Sequence, residues 1–219
     1  MSIKAALARY GKPKFREPFA LNPRPRKVLD IGVANDSYLE CKGVFPNAEY
    51  HGLDYFDAGI AMQNGDRFIQ CNLDEAPDWR LLPGDYDLII INHVLEHLRD
   101  GTGVLKQLCG KLAPGGILYA EVPSIRTAFK RKRRHSYHFH DDPTHISIYS
   151  LEDLANAILR ADCKIVSCGP ISTPLKTLIS LPRALLGMMR GQGFGPFLLH
   201  MQGKVDHIMA MKPAAASAS

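Results

Sequence analysis

Short apolar runs alternate with segments of helical period along this chain. Seven runs are predicted as β-strands, since each is short and is bounded by polar or turn-forming residues. They are residues 27–31, 48–53, 67–71, 86–91, 116–121, 163–168 and 204–211. The fourth run contains DLIII, which is continuously apolar, as is typical of a central strand covered on both faces.

Helices are predicted between several of these strands. Apolar residues recur at helical spacing at Leu105, Leu108, Cys109 and Leu112, and Pro114-Gly115-Gly116 is predicted to end that helix. Ser150 and Asp153 have the spacing of a capping box at the start of another helix. Strands that alternate with helices favour a parallel α/β sheet with helices on both faces.

Length and composition indicate one soluble globular domain. The chain has 219 residues, of which 46% are hydrophobic and 22% are charged. We predict no transmembrane segment, because no apolar run is long enough to span a bilayer, and no secretory signal. The five cysteines form no C-x-x-C pair, which favours reduced thiols and a cytoplasmic location.

The net charge of +5 is concentrated in two places. Residues 1–26 form a predicted basic arm, and residues 130–134 read KRKRR. Such clusters can bind phosphate, nucleic acid or anionic lipid, and they can also be solvated faces without a partner. Both interpretations remain open from the residues alone.

Polar residues collect where the predicted strands end. Asp30 and Gly32 end the first strand, Asp54 the second, Asn72 the third and Asn92 the fourth. Ligands of parallel α/β sheets bind at the carboxyl ends of the strands. Asp54 lies about 20 residues beyond Gly32, the spacing at which a carboxylate accepts both ribose hydroxyls of a nucleoside cofactor.

Over about residues 27–212 the chain resembles the class I S-adenosylmethionine-dependent methyltransferases, most closely those that act on small molecules, quinones and sugars. The matching stretches are VLDIG, YHGLDYF, FIQCNLDEAP, YDLIIINHVLEHLRD, LAPGGILYAEVPS, HDDPTHISIYSLEDLANAI and VDHIMAMKP. The resemblance implies a doubly wound, seven-stranded, mostly parallel sheet of the Rossmann-like methyltransferase fold, whose last strand is inserted antiparallel. It also implies S-adenosylmethionine as the cofactor.

The resemblance implies roles for individual residues around that cofactor. Asp30 and Gly32 correspond to positions that place its methionine end, and Asp54 to the position that holds its ribose. Asn92 and His93 correspond to positions beside the methionine and the transferring methyl group. The implied cofactor-binding set is Asp30, Gly32, Ala34, Asp54, Tyr55, Asn72, Leu73 and Asn92.

The loop after the first strand departs from the usual D-I-G-x-G-x-G pattern of the family. Ala34 and Asp36 occupy the positions of the second and third glycines. Ala34 is small enough to keep a close backbone approach. Asp36 disfavours the pyrophosphate of NAD but suits the cationic S-adenosylmethionine, and it could equally cap the following helix. The reduced loop leaves a degenerate, non-catalytic binding module as an alternative.

Histidines are the candidate catalytic residues. Methyl transfer to a hydroxyl needs a base in addition to alignment of the reacting groups. We rank His140 and His145 first and His93 next, with a structural hydrogen bond as the alternative for His145. We interpret His97 as a structural histidine. The histidines and aspartates of residues 138–145 match no zinc spacing, so no metal ligand is predicted.

The sequence therefore predicts a methyltransferase acting on a small-molecule or glycan-like acceptor, at oxygen or nitrogen. A nucleobase amine is disfavoured because the residues after the fourth strand lack N-P-P-Y or D-P-P-Y. RNA binding through residues 130–134 is a further alternative. Residues 171–203 are predicted as an insertion before the last strand. It could shape the acceptor pocket, pack on the core, form a homodimer contact or make a peripheral membrane contact. Residues 213–219 are predicted as a disordered tail.

Overall fold

A computed structural model describes residues 18–33, 37–56, 59, 62–63, 65–75, 77–129, 138–171 and 204–214. Its strands are β1 (Lys27–Ile31), β2 (Glu49–Asp54), β3 (Arg67–Gln70), β4 (Tyr86–Asn92), β5 (Leu112–Pro123), β6 (Lys164–Pro170) and β7 (Val205–Met211). Its helices are α1 (Ser37–Val44), α2 (Gly101–Gly110), α3 (Arg126–Phe129) and α4 (Leu151–Leu159). Single 3-10 turns lie at Trp79–Leu81, Leu95–His97 and Phe139–Asp141.

The strands form one sheet in the order β3-β2-β1-β4-β5-β7-β6. β1 to β5 pair in parallel, whereas β7 runs antiparallel to both β5 and β6. The predicted seven-stranded, mostly parallel sheet with an antiparallel last strand is confirmed. The chain reverses its direction of progress between β1 and β4, so the crevice expected to bind a ligand lies at the carboxyl ends of those two strands.

The centre of the sheet is buried on both faces, as the continuous apolar run of β4 predicts. Ile89 and Ile91 pack into one hydrophobic cluster, and Leu88 and Ile90 into the other. All four side chains are fully buried. Helices α2 and α4 cover the first face and α1 covers the second. Each fully buried residue of this kind contributes about 1.5–3 kcal/mol relative to exposure.

The Pro-Gly-Gly segment does not end a helix, so that prediction is wrong. Helix α2 ends at Gly110, and β5 begins at Leu112. A register shift between β4 and β5 accommodates the segment, and a Cβ at Gly116 would lie 2.6 Å from the Tyr86 carbonyl oxygen. The glycine therefore permits a close approach of two strands. Leu112 is buried as expected, but from a strand instead of a helix.

The capping box at α4 is confirmed. The Ser150 hydroxyl accepts a hydrogen bond from the Asp153 N–H at 3.1 Å, and the Asp153 carboxylate accepts from the Ser150 N–H at 2.9 Å. Hydrogen bonds from Ser150 lower the pKa of Asp153. Together these contacts satisfy backbone donors that the first turn of a helix leaves without partners.

Several predicted features lie outside the described residues. They are residues 1–17 of the basic arm, the basic cluster at 130–134, residues 172–203 of the predicted insertion and residues 215–219 of the tail. The five cysteines are free thiols, and Cys41, Cys109 and Cys163 are buried. Within the described part of the chain, no helix combines the length and the apolar character needed to cross a membrane.

Asp66 ties α1 to the strands on its side of the sheet. Its side chain is 2% exposed and lies 2.8 Å from the Lys42 ammonium. It also accepts hydrogen bonds from the Tyr50 N–H at 2.7 Å and the Tyr38 hydroxyl at 2.9 Å. Burial opposes the charged form, but the bonds from Lys42, Tyr50 and Tyr38 outweigh it and lower the pKa of Asp66.

We expect Asp66→Asn to lower the free energy of unfolding by about 3 kcal/mol at neutral pH, because it leaves the Lys42 charge without its partner. A lowered folded-state pKa stabilises the fold above the ordinary carboxyl pKa of 3.8, and that contribution is lost as the pH falls through the folded value. The difference between wild type and variant should therefore shrink in acid. Urea denaturation of both proteins at neutral pH and in acid measures this difference in the free energy of unfolding.

Asp78→Asn is the matched control. Asp78 pairs with Arg80, and the two side chains are 43% and 91% exposed. Water screens such a pair, so the loss should be much smaller. Equal losses in the two variants, or a difference for Asp66→Asn that does not change with pH, would contradict the assigned role of Asp66.

Candidate active site

The loop after β1 crosses the end of β4 at Gly32. This residue has φ +75°, and its N–H donates to the Leu53 carbonyl at 2.9 Å. A Cβ here would clash with the Val94 side chain and would lie 3.9 Å from the Asn92 carbonyl oxygen. The positive φ and the clash with Val94 both favour glycine at this position. Residues 34–36 lie outside the described part of the chain, so the predicted role of Ala34 stays a prediction.

Asp30 lies near the end of β1, two residues before Gly32. It is fully buried, and its carboxylate accepts a hydrogen bond from the Tyr50 hydroxyl at 3.0 Å. Burial, reinforced by the Asp30 charge, raises the pKa of Tyr50 and keeps its hydroxyl protonated. This buried hydrogen bond links β1 to β2 directly before the loop.

Asp54 ends β2 and orders the turn that follows. Its carboxylate Oδ1 accepts from the N–H groups of Tyr55 at 2.7 Å and Phe56 at 3.3 Å. The rings of Tyr55 and Phe56 lie 3.6 Å apart between centroids, and the residues are 55% and 62% exposed. An acidic side chain therefore lies beside an exposed aromatic surface that suits a purine ring.

The end of β3 contributes less open surface. The Asn72 side-chain oxygen accepts from the Asp74 N–H at 3.0 Å, which closes a local turn. Leu73 is 7% exposed and packs into the hydrophobic core. Asn72 is available through its amide group, whereas Leu73 presents little area to a ligand.

The end of β4 holds a buried acceptor atom. The side-chain oxygen of Asn92 is buried and has no hydrogen-bond partner among the described residues. A buried acceptor without a partner costs about 1–3 kcal/mol, so such an atom marks a site where a ligand donor fits. Asn92 pairs with Glu121 across β4 and β5.

His93 follows directly and is held between two carboxylates. Its φ is +55°, and its N–H donates to the Glu121 carbonyl at 2.9 Å. Its ring Nδ1 lies 3.1 Å from Glu96 Oε1, and its Nε2 lies 3.8 Å from Glu121 Oε2. Burial opposes protonation, but Glu96 and Glu121 together raise the pKa of His93. The ring is 43% exposed, so it remains accessible to an acceptor.

Of the other two candidate bases, the structure brings only His145 to this cluster. Its side chain is 7% exposed, and its Nε2 lies 4.0 Å from Glu96 Oε1. His140 is exposed, and its ring packs edge-on against Phe139 with a centroid distance of 5.2 Å. His97 hydrogen-bonds to Thr144, in line with its interpretation as a structural histidine.

Glu96 and Glu121 were missed by sequence reasoning. Glu96 is 1% exposed and Glu121 is 7% exposed, which is unusual for this residue type. The HVLEHL stretch could have indicated Glu96, because this acid lies close to two histidines directly after a buried strand. Nothing in the apolar YAEVP run indicated that Glu121 would face His93.

These residues lie at the carboxyl ends of β1, β2 and β4, and their chemistry suits a nucleoside with a cationic tail. Gly32 permits a close approach, Asp54 precedes the exposed Tyr55 and Phe56 rings, and Asn92 offers a buried acceptor. S-adenosylmethionine combines an adenine, a ribose with two hydroxyls and a methionine with an ammonium donor. The residues present therefore fit this group.

Comparison with known protein families identifies the family to which this fold belongs. Residues 5–168 match the family described as "Methyltransferase domain". The match covers most of the chain, so the protein belongs to this family, within the class I S-adenosylmethionine-dependent methyltransferases. S-adenosylmethionine is the cofactor of the family.

Individual relatives are more distant. A trans-aconitate 2-methyltransferase of Acidovorax sp. (strain JS42) is 30% identical over 107 residues, 47% of this chain and 40% of that protein. This chain thus matches less than half the length of that relative. A SAM-dependent methyltransferase structure from Archaeoglobus fulgidus aligns with a TM-score of 0.58 and 21% identity, covering 95% of this chain and 94% of the other. One from Mesorhizobium loti aligns with a TM-score of 0.61 and 15% identity, covering 94% and 96%.

We expect Asp54→Ala to abolish binding of S-adenosylmethionine, and Asp54→Asn to weaken it at least about 100-fold. An amide oxygen can still accept from the Tyr55 and Phe56 N–H groups, but the amide cannot accept from both ribose hydroxyls. Two hydrogen bonds to a charged acceptor contribute about 1.5–3 kcal/mol each. Calorimetric titration with S-adenosylmethionine and S-adenosylhomocysteine, with NAD as the negative ligand, measures this.

Asp85→Asn is the control for that titration. Asp85 is exposed, directly precedes β4 and therefore lies at the opposite edge of the sheet. Its φ of +55° is one that asparagine tolerates. Unchanged affinity in both Asp54 variants would show that the ribose is bound elsewhere.

Proposed function

We propose that this protein transfers a methyl group from S-adenosylmethionine to an oxygen or nitrogen of a small-molecule or glycan-like acceptor, with His93 as the general base. The observation that carries the proposal is the position of His93, at the end of β4, half-exposed and held by Glu96 and Glu121. The family membership supports the methyl donor, and the side chains support the proton transfer.

Bound S-adenosylmethionine would supply a methyl group already activated by its sulfonium. The chain then has to hold the acceptor in line and remove its proton. The Nδ1–H of His93 donates to Glu96, which leaves Nε2 to accept that proton. Glu96 and Glu121 would stabilise the imidazolium that forms, as a carboxylate does in other base–orienter pairs.

The sequence ranked His140 and His145 ahead of His93, and the geometry supports the reverse order. His140 is exposed and contacts Phe139 and His138 instead of the crevice. The Nδ1 of His145 lies 2.8 Å from the Phe139 carbonyl, so its ring is held within its own segment. Both remain candidates for contacts with the acceptor.

A small acceptor is supported by the curated relative named for trans-aconitate, a small molecule. A degenerate binding module is the second candidate, and the loss of two glycines at Ala34 and Asp36 favours it. The two are separated by cofactor binding and turnover: a degenerate module binds no cofactor, or binds it and transfers no methyl group to any acceptor.

We expect His93→Gln to lower turnover about 100- to 10,000-fold while the affinity for S-adenosylhomocysteine changes little, because the base acts only on the acceptor. The assay follows a labelled methyl group into a panel of small hydroxylated, aminated and glycosylated acceptors. Binding of S-adenosylhomocysteine is the internal control for folding of the cofactor crevice.

His140→Ala and His145→Ala are measured in the same assay. If either loses turnover while His93→Gln retains it, the base is that residue and not His93. If all three variants methylate an acceptor at the same rate as the wild-type protein, the base lies elsewhere. If RNA is the acceptor or ligand, the affinity of the protein for RNA should fall steeply with added salt.

A further inference from the structure

A second cluster lies behind His93, where Glu96, His97 and His145 meet. Each offers one ligand atom, and these atoms all lie within 4.8 Å of one another. Glu96 and His97 belong to the 3-10 turn that follows β4, and His145 comes from the segment before α4. The methyl-transfer mechanism uses Glu96 only as a partner of His93 and makes no use of His97.

Both histidines are oriented by backbone carbonyls. The Nδ1 of His145 lies 2.8 Å from the Phe139 carbonyl oxygen, and the Nδ1 of His97 lies 3.1 Å from the Thr144 carbonyl oxygen. A carbonyl only accepts, so each Nδ1 carries a proton in these contacts, and Nε2 is the ring nitrogen that remains for a metal ion. Metal-ligating histidines are commonly held in this way.

The Glu96 carboxylate is the third element. Its side chain is 1% exposed, and its Oε2 has no hydrogen-bond partner among the described residues. A buried charge is costly unless it is paired or coordinates a cation. His93 serves only Oε1, which leaves the second oxygen without compensation.

The backbone already holds the two segments together. The Glu96 carbonyl accepts from the N–H groups of Ile146 at 3.0 Å and Ser147 at 3.1 Å. The rings of His97 and His145 have centroids 4.9 Å apart. Backbone hydrogen bonds therefore hold the segment with Glu96 and His97 next to the segment with His145.

We infer that Glu96, His97 and His145 bind a divalent transition-metal ion, with Zn²⁺ as the reference ion. Two imidazole nitrogens and one carboxylate oxygen are a ligand set that such ions favour. Bonds of about 2.0–2.2 Å require the ligand atoms to move closer by about an ångström, within reach of small side-chain rotations. Three protein ligands leave further coordination positions open to water.

The site goes beyond the proposed methyl transfer and can be tested without it. The purified protein is treated with a chelator, and the chelator is then removed. The protein is titrated with Co²⁺, whose visible d–d bands report coordination by nitrogen and oxygen. We expect one ion per chain, displaced by one equivalent of Zn²⁺. Equilibrium dialysis with metal analysis gives the stoichiometry independently.

His97→Gln, His145→Gln and Glu96→Gln should each weaken Co²⁺ binding at least about 100-fold. His140→Gln is the matched control, because it removes an exposed histidine from the same segment and lies outside the cluster. Thermal unfolding of each variant without metal identifies any that fails to fold. The conservative Glu96→Gln change keeps the size of the buried side chain.

The wild-type protein supplies a measure that needs no variant. In imidazole nitrogen NMR spectra, Zn²⁺ should shift the Nε2 signals of two histidines while their Nδ1 atoms remain protonated. Absence of binding, equal affinity in the three variants, or intense thiolate-to-metal bands from the cysteines would each overturn the inference. The first of these results would assign the cluster to hydrogen bonding alone.

Discussion

The burial of β4 on both faces is the constraint on which the rest of the structure depends. Leu88 to Ile91 are fully buried, alternately against α2 and α4 and against α1. β4 pairs in parallel with β1 and β5, and parallel neighbours have to be joined by crossover connections. The carboxyl ends of β1 to β4 therefore meet at one edge, where the cofactor crevice and the methyl acceptor would lie.

The turn after β4 positions the side chains that are proposed to act in methyl transfer and metal binding. Glu96 lies behind the strand end, and its carboxylate contacts His93 while its carbonyl holds residues 146 and 147. One buried acid thus orients the proposed base and joins it to the segment that carries His145. Removing that acid would disturb both of its proposed roles at once, so turnover and metal binding have to be measured separately.

Much of this arrangement could be predicted because it depends on local chemistry. Apolar runs predicted the strands, and the spacing of Ser150 and Asp153 predicted the start of α4. The Pro-Gly-Gly segment misled because glycine serves two purposes, as a helix terminator and as a point of close backbone approach. At Gly116 the neighbouring strand decided between them, and that neighbour is not visible in local sequence.

The sequence by itself determined the order of the elements, the parallel sheet and the position of Asp54, because hydrophobic period and turn preference are properties of neighbouring residues. Only the tertiary structure decided the partners of the charged groups. Glu121 faces His93 because β5 pairs with β4, and Thr144 reaches His97 across 47 residues of chain. Such contacts depend on strand register and loop packing, so the buried acids and their histidines become a site only when the chain folds.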